Sequence, residues 1–356
     1  MKAIVKVAPG PGHVALCEVP EPVPGPGQVK VEVRAAGVCG SDLHIYHDEI
    51  KIPIQPPVIM GHEFSGVIVD IGEEVPGDAG PVVAAGKWQV GDRVTCETTA
   101  RSCGRCLPCH LGHYNLCATR QVVGYSMDGC FARYCVVNER QLHRLPDGVS
   151  FRAGALTEPL ACCVHAVLEL AAISPGDVVA ITGPGPIGLM CLQLAKAAGA
   201  YAVVCGTTED RGRLEWARRL RADEALDVSD PDPVTRLLDL TGAAGVDVFI
   251  ECAGAPAAAR LGLAATRRGG QYIQVGLAAR PFELDFSLIA YKELRVTGSI
   301  GQHWTSWQRA LALMAQGQVD MECLVSDTLP LAEWEQAFRR FEERQGLKIV
   351  LEPRLV

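Results

Sequence analysis

The stretch DVVAITGPGPIGLMCLQLAKAAGA, residues 177–200, decides the fold. Val178 to Thr182 is a short apolar, β-branched run of the kind that makes a buried strand, and from Pro186 onward the apolar residues fall at helical spacing. Between the two, Gly183, Gly185 and Gly188 form G-x-G-x-x-G. The first glycine permits a tight turn, the second lets the backbone approach a pyrophosphate, and the third lets helix and strand pack closely. Pro186 and Ile187 open the helix, whose N-terminal amides then receive the anion. The motif is weak alone. Its strand-turn-helix setting makes it a dinucleotide site in preference to a glycine-rich turn without a ligand.

Working outward, the same alternation continues. AVVCGT (202–207) precedes the helix pattern RLEWARRL (213–220), VDVFIECAG (246–254) precedes AAARLGLAATRRG (257–269), and GQYIQVGL (270–277) closes the series. Strands alternating with helices build a doubly wound parallel sheet of the α/β class. About 20 residues past the third glycine a dinucleotide fold places the group that holds the adenosine ribose. Here that region reads Gly206, Thr207, Thr208, Glu209, Asp210, Arg211 and, two further on, Arg213. No acid stands cleanly at the strand end, so Arg211 and Arg213 are expected to pair with a 2′-phosphate, favouring NADP. The alternative is that Glu209 takes the ribose hydroxyls of NAD while the arginines are solvated.

Before residue 159 the texture differs. KAIVKV, QVKVEVRAAGV, FSGVIVDIG, GDRVTC and FARYCVV are short strands broken by Gly and Pro, an all-β, barrel-like region. The stretch 72–91, with Gly77, Gly80, Pro81 and Gly86, reads as a surface loop. After about Arg295 mixed elements return, with a helix at TSWQRALALMAQGQ (305–318) and a last strand at LKIVLEP (347–353).

Composition narrows the function. The 356 residues are 48% hydrophobic with net charge −8 and no basic block, so neither nucleic acid nor an anionic membrane is expected as partner, and a small molecule is. No run reaches the roughly 20 apolar residues of a membrane helix. The chain opens on a charged, alternating strand pattern with no apolar signal core. Its 15 cysteines are therefore read as thiols of a reducing cytoplasm.

Four of those cysteines are spaced C-x2-C-x2-C-x7-C at Cys103, Cys106, Cys109 and Cys117. Four soft ligands so close make a closed tetrahedral site, which suits structural zinc and leaves no position for chemistry. A ferredoxin-type iron–sulfur cluster shares the first spacings, but no proline follows Cys117 and no second set appears. Catalysis must lie elsewhere. Cys39 and His62, on separate segments and with the acid Glu63 adjacent, form a candidate open zinc site, with Glu158 as a further ligand. Cys162 and Cys163 are the competing thiols, inside the apolar helix pattern ACCVHAVLEL (161–170).

Taken together, GVCGSDLH (37–44), GHE (61–63), the four-cysteine lobe ending in NLC (115–117), DGCFARY (128–134), TEPLA (157–161) and GPGPIG (183–188) resemble the zinc-dependent medium-chain dehydrogenases, in the sorbitol and threonine dehydrogenase branch. The resemblance runs over essentially the whole chain. It implies a GroES-like β-barrel catalytic domain (1–158 and 298–356, lobe about 96–118) interrupted by a Rossmann domain (159–297). It also implies two zinc ions per chain, with Cys39, His62, Glu63 and Glu158 at the catalytic one. Ser41 and His44 would relay the proton, and NAD or NADP would take the hydride. The expected substrate is a secondary alcohol, favoured as a polyol by HIYHDE (44–49) with His44, Tyr46, His47 and Asp48. A threonine-like substrate, another alcohol, or a non-catalytic nucleotide-binding zinc protein are the alternatives. The family is oligomeric, so a homo-tetramer or dimer is expected.

Overall fold

The change of texture near residue 159 is a change of architecture in the computed structural model, which describes residues 1–49, 52–72, 88–229 and 232–354. The chain divides into two compact units, one of residues 1–159, 303–315 and 320–356, the other of 160–302 and 316–319. The second unit runs through residue 302, and the strand Arg295–Gly298 is part of its parallel sheet, pairing Ile273 with Thr297. The glycine-rich loop read at 72–91 lies mostly outside the described residues.

The first unit is organised by one long strand, Gln28–Gly37. It pairs antiparallel with Glu63–Ile71, with Tyr134–Asn138 and with the chain's last strand, Lys348–Glu352. Val29, Val31 and Val33 alternate into a core shared with Phe64, Ile68, Phe131 and Leu351. Each fully buried side chain of that kind contributes roughly 1.5–3 kcal/mol. A register shift between Val33 and Ala35 bends the strand's end and brings Gly37 opposite Glu63. Val350 pairs with that same Gly37. Residues near 37, 63 and 348 thus converge although the sequence separates them widely.

The second unit is a six-stranded parallel sheet flanked by helices. Its strand order is Glu224–Asp227, Tyr201–Gly206, Val178–Thr182, Val246–Glu251, Thr266–Gln274, Arg295–Gly298. In chain order this is 3-2-1-4-5-6, the doubly wound arrangement whose switch point lies between the first and fourth strands. The helix read over 257–269 stops at Ala265. Thr266 turns extended (φ −67°, ψ 135°) because it already pairs with Val246 in the next parallel strand. No helix among the described residues is long and apolar enough to cross a membrane.

Candidate active site and dinucleotide loop

The four lobe thiols gather as their spacing requires. All four Sγ atoms lie within 4.8 Å of one another, with Cys103 to Cys109 at 3.9 Å and Cys106 to Cys109 at 3.4 Å. A tetrahedron of Zn–S bonds of about 2.3 Å has edges of roughly 3.8 Å, so the set fits zinc. The Cys103 amide donates to Cys117 Sγ at 3.4 Å, and that bond leads those holding the Cys117 thiol down to about 6, toward the thiolate a metal needs. A buried network ties the lobe to the barrel. The Tyr114 hydroxyl donates to Glu97 Oε2 at 2.5 Å, and Glu97 Oε1 lies 2.9 Å from Nε2 of His143.

The second cluster is assembled from distant segments. Cys39 caps the short helix Gly40–Tyr46, while His62 and Glu63 stand where the chain enters the strand Glu63–Ile71. One donor atom from each of the three lies within 4.8 Å of the others, and His62 and Glu63 are buried. Asp42, fully buried, does two jobs. Its Oδ2 accepts the Cys39 amide at 2.9 Å, and its Oδ1 faces His62 Nδ1 at 3.6 Å. A carboxylate behind a histidine orients the ring and strengthens it as a ligand. Burial opposes a charge on His62, yet Tyr125, Asp42 and Cys39 beside it raise its pKa well above the usual imidazole value. Such a pocket invites a cation. Oε1 of Glu63 is also buried with no hydrogen-bond partner, and a thiolate–imidazole–carboxylate set of this kind suits zinc.

Glu158, the fourth expected ligand, is not among the donors gathered within 4.8 Å. It is buried at the start of the helix Thr157–Val164, close enough for its charge to be felt by Lys348. Cys162 and Cys163 are engaged elsewhere, Cys162 with Gln302 and Cys163 with the carbonyl of Ile187, where burial pushes its thiol up.

The polar run 44–49 is helical through Tyr46. Tyr46 packs edge-on against Trp334 and Phe338 in the barrel core, and His47 pairs with Glu342 at 2.7 Å, so neither is held ready for a ligand. His44 is more than half exposed, 3.6 Å from Glu49, and Ser41 hydrogen-bonds with Tyr125. Tyr125, which sequence reading missed, lies tilted beside His62 with ring centroids 5.2 Å apart. Asp42 and Lys348 were missed too, since a lone acid or lysine carries no spacing signal.

In the nucleotide unit the three glycines differ as the motif requires. Gly183 has φ +82°, and a side chain there would press on Ala253 at 2.8 Å. A Cβ on Gly188 would stand 2.1 Å from the Gly183 carbonyl, so helix and strand approach closely. Gly185 caps the helix Pro186–Ala197 with open space around it, the nearest atom to a Cβ being Arg213 Nη1 at 3.8 Å. That is room for a pyrophosphate beside a guanidinium. Across the switch point Glu251 braces the facing loop, accepting the amides of Ala253 and Gly254 at 2.8 and 2.9 Å, a role the sequence did not reveal. At the end of the next strand Thr207 donates to Asp210, and Thr208 to Asp227 at 2.7 Å. Both aspartates are thereby engaged within the protein.

Comparison with known proteins agrees with this geometry. Residues 25–147 match the family described as alcohol dehydrogenase GroES-like domain, and 186–316 match zinc-binding dehydrogenase. A sorbitol dehydrogenase of Halalkalibacterium halodurans is 43% identical over 99% of both chains. A D-arabitol-phosphate dehydrogenase of Enterococcus avium is 38% identical over 99% of this chain and 97% of its own. The crystal structure of a zinc-binding dehydrogenase from Sinorhizobium meliloti bound to NADP superposes with TM-score 0.88 at 32% identity, covering 99% of each chain. With a dinucleotide loop in one unit and two zinc-type donor sets in the other, the chain belongs to the zinc-dependent medium-chain dehydrogenases and is an NAD(P)-dependent alcohol dehydrogenase.

Proposed function

We propose that this enzyme oxidises a secondary alcohol carbon of a polyol or sugar alcohol, with Cys39, His62 and Glu63 holding the catalytic zinc, Glu158 nearby, and Cys103, Cys106, Cys109 and Cys117 holding a structural zinc. The observation that carries the reading is the gathered trio, with His62 and Glu63 buried and Asp42 behind His62. When bound, zinc polarises the substrate hydroxyl and the nicotinamide accepts the hydride. The chain's own residues do the rest. Asp42 fixes the His62 ring, and Ser41 takes the hydroxyl proton, passing it outward to His44, whose exposed ring delivers it to water. Gly183, Gly185, Pro186, Ile187 and Gly188 seat the pyrophosphate. The polyol assignment is supported by the sorbitol and arabitol-phosphate dehydrogenases this chain resembles.

For the cofactor the reading is NADP. Arg211 and Arg213 open the helix that follows the strand Tyr201–Gly206, where their guanidinium groups would meet a 2′-phosphate. A panel of sugar alcohols, their phosphates, threonine and simple secondary alcohols, each assayed with NAD and NADP, tests both points. A polyol with kcat/KM at least about tenfold higher for NADP is expected, a gap of roughly 1.4 kcal/mol. Threonine as sole substrate sinks the polyol reading, and a preference for NAD hands the ribose to Glu209.

The enzyme is further read as a cytoplasmic homo-oligomer, a tetramer or dimer. All 15 cysteines are free thiols, as in a reducing compartment. Leu107, Leu111 and Leu116 are 70%, 62% and 52% exposed on the zinc lobe, apolar surface suited to a second copy. Sedimentation of a monomer overturns the oligomer.

A further inference from the structure

The two oxygens of Glu63 have unlike surroundings. Oε2 accepts from Lys348 Nζ at 2.5 Å and lies so near Gly37 that a Cβ there would stand 2.3 Å from it. Oε1 is buried and has no hydrogen-bond partner. Lys348 donates also to the Val38 carbonyl at 2.8 Å, and its side chain is 3% exposed against 0% for Glu63. Burying an ammonium and a carboxylate costs several kcal/mol per ion before their attraction offsets it, so the pair is a weak device for stability alone. Its place is more telling. Lys348 opens the chain's last strand, packed on Gln28–Gly37, and Val38, its second partner, directly precedes Cys39.

We propose that Lys348 is a positioning residue for the catalytic metal: by holding Oε2 of Glu63, it limits that carboxylate to one donor oxygen and leaves a coordination position open for the alcohol. The proposal rests on Cys39, His62 and Glu63 being the catalytic zinc ligands. Catalytic zinc sites keep three protein ligands and one exchangeable position, whereas structural sites are closed. A carboxylate free to turn both oxygens inward would fill the position that substrate needs. Gly37 serves the same end, because any side chain there would displace Oε2 from the lysine. Polar support behind a ligating group commonly governs how that ligand meets its metal.

The test uses full-length protein carrying zinc in the four-cysteine lobe and cobalt(II) in the second site, compared as wild type, K348M and K348Q. Metal content and circular dichroism are read beside the visible cobalt spectrum. K348M is expected to keep both metals and its fold, while the cobalt d–d bands lose about half their intensity or more as the coordination number rises. Its kcat/KM for the alcohol falls at least about tenfold, equivalent to roughly 1.4 kcal/mol, with the KM for the dinucleotide unchanged. K348Q, which keeps a donor for Val38 and Glu63, falls between the two and guards against a folding defect in K348M. Cobalt spectra of both variants superimposable on wild type overturn the proposal, as does loss of cobalt from the site. Wild-type protein that takes no cobalt outside the lobe overturns the ligand assignment itself, and this inference with it.

Discussion

Two metal-type clusters among the described residues, the cysteine lobe and the Cys39–His62–Glu63 set, are built in opposite ways. The lobe takes four identical ligands from one 15-residue stretch, 103–117, and closes on itself. The other cluster takes three different ligands from two segments, with its support reaching from Asp42 on one side and from Lys348, 285 residues from Glu63, on the other. The closed site is suited to holding a loop in place. The open one has mixed donors, buried walls and supports that orient each ligand, as chemistry requires. On the proposed reading, motif density marks the structural element and dispersion the reacting one.

Breaking the open cluster should have the largest effect. C39A is expected to lower kcat at least about a thousandfold by removing metal-assisted polarisation. Metal content should drop from two to one per chain while dinucleotide binding, read by fluorescence titration, persists. An active C39A protein would end the assignment. C109S strikes the other cluster. It should lose the lobe metal and, with it, folding free energy, lowering the thermal midpoint by roughly 5–10 °C. The metal at Cys39 and His62 should stay in the folded fraction, and a midpoint equal to wild type would deny the lobe its structural role.

Weakening support sharpens the contrast further. D42N removes the charge facing His62 Nδ1 and should weaken retention of the catalytic metal about 10–100-fold, leaving the lobe unchanged in a chelator titration. Equal loss from both sites would refute the division. The smallest effect belongs to the nucleotide unit, where neither metal should respond. Burial works against the Asp223 charge, but Lys196 at 2.6 Å and the Ala202 amide hold its pKa below the ordinary value. A depressed folded pKa contributes stability above the unfolded pKa, and the contribution is lost as pH falls through the folded one. D223N should therefore melt slightly lower than wild type near pH 7, and the gap should shrink as the pH falls below the ordinary aspartate value of about 3.9. A gap that stays constant with pH would show that the charge is not the cause.

The sequence alone determined what is encoded locally. G-x-G-x-x-G after a strand specifies a turn, an open amide cradle and a close helix contact within six residues, and each glycine's surroundings match its part. The cysteine spacing sets the lobe because short loops restrict four thiols to one place. Strand and helix alternation gave the parallel sheet, while the end of the helix at Ala265 escaped it because pairing with Val246, a non-local contact, overrides the local pattern. Tyr46 reads equally well as a substrate contact or as core until Trp334 and Phe338 are found against it. The same holds for the proposed reacting centre. Cys39, His62 and Glu63 could be nominated in sequence. That Asp42 backs the histidine, that Glu158 stands apart from the gathered donors, and that Lys348 holds one oxygen of Glu63 were decided by tertiary structure. A bulged strand end and the return of the last strand beside Gly37 bring those groups together, and such long-range pairing leaves no periodic trace in the chain.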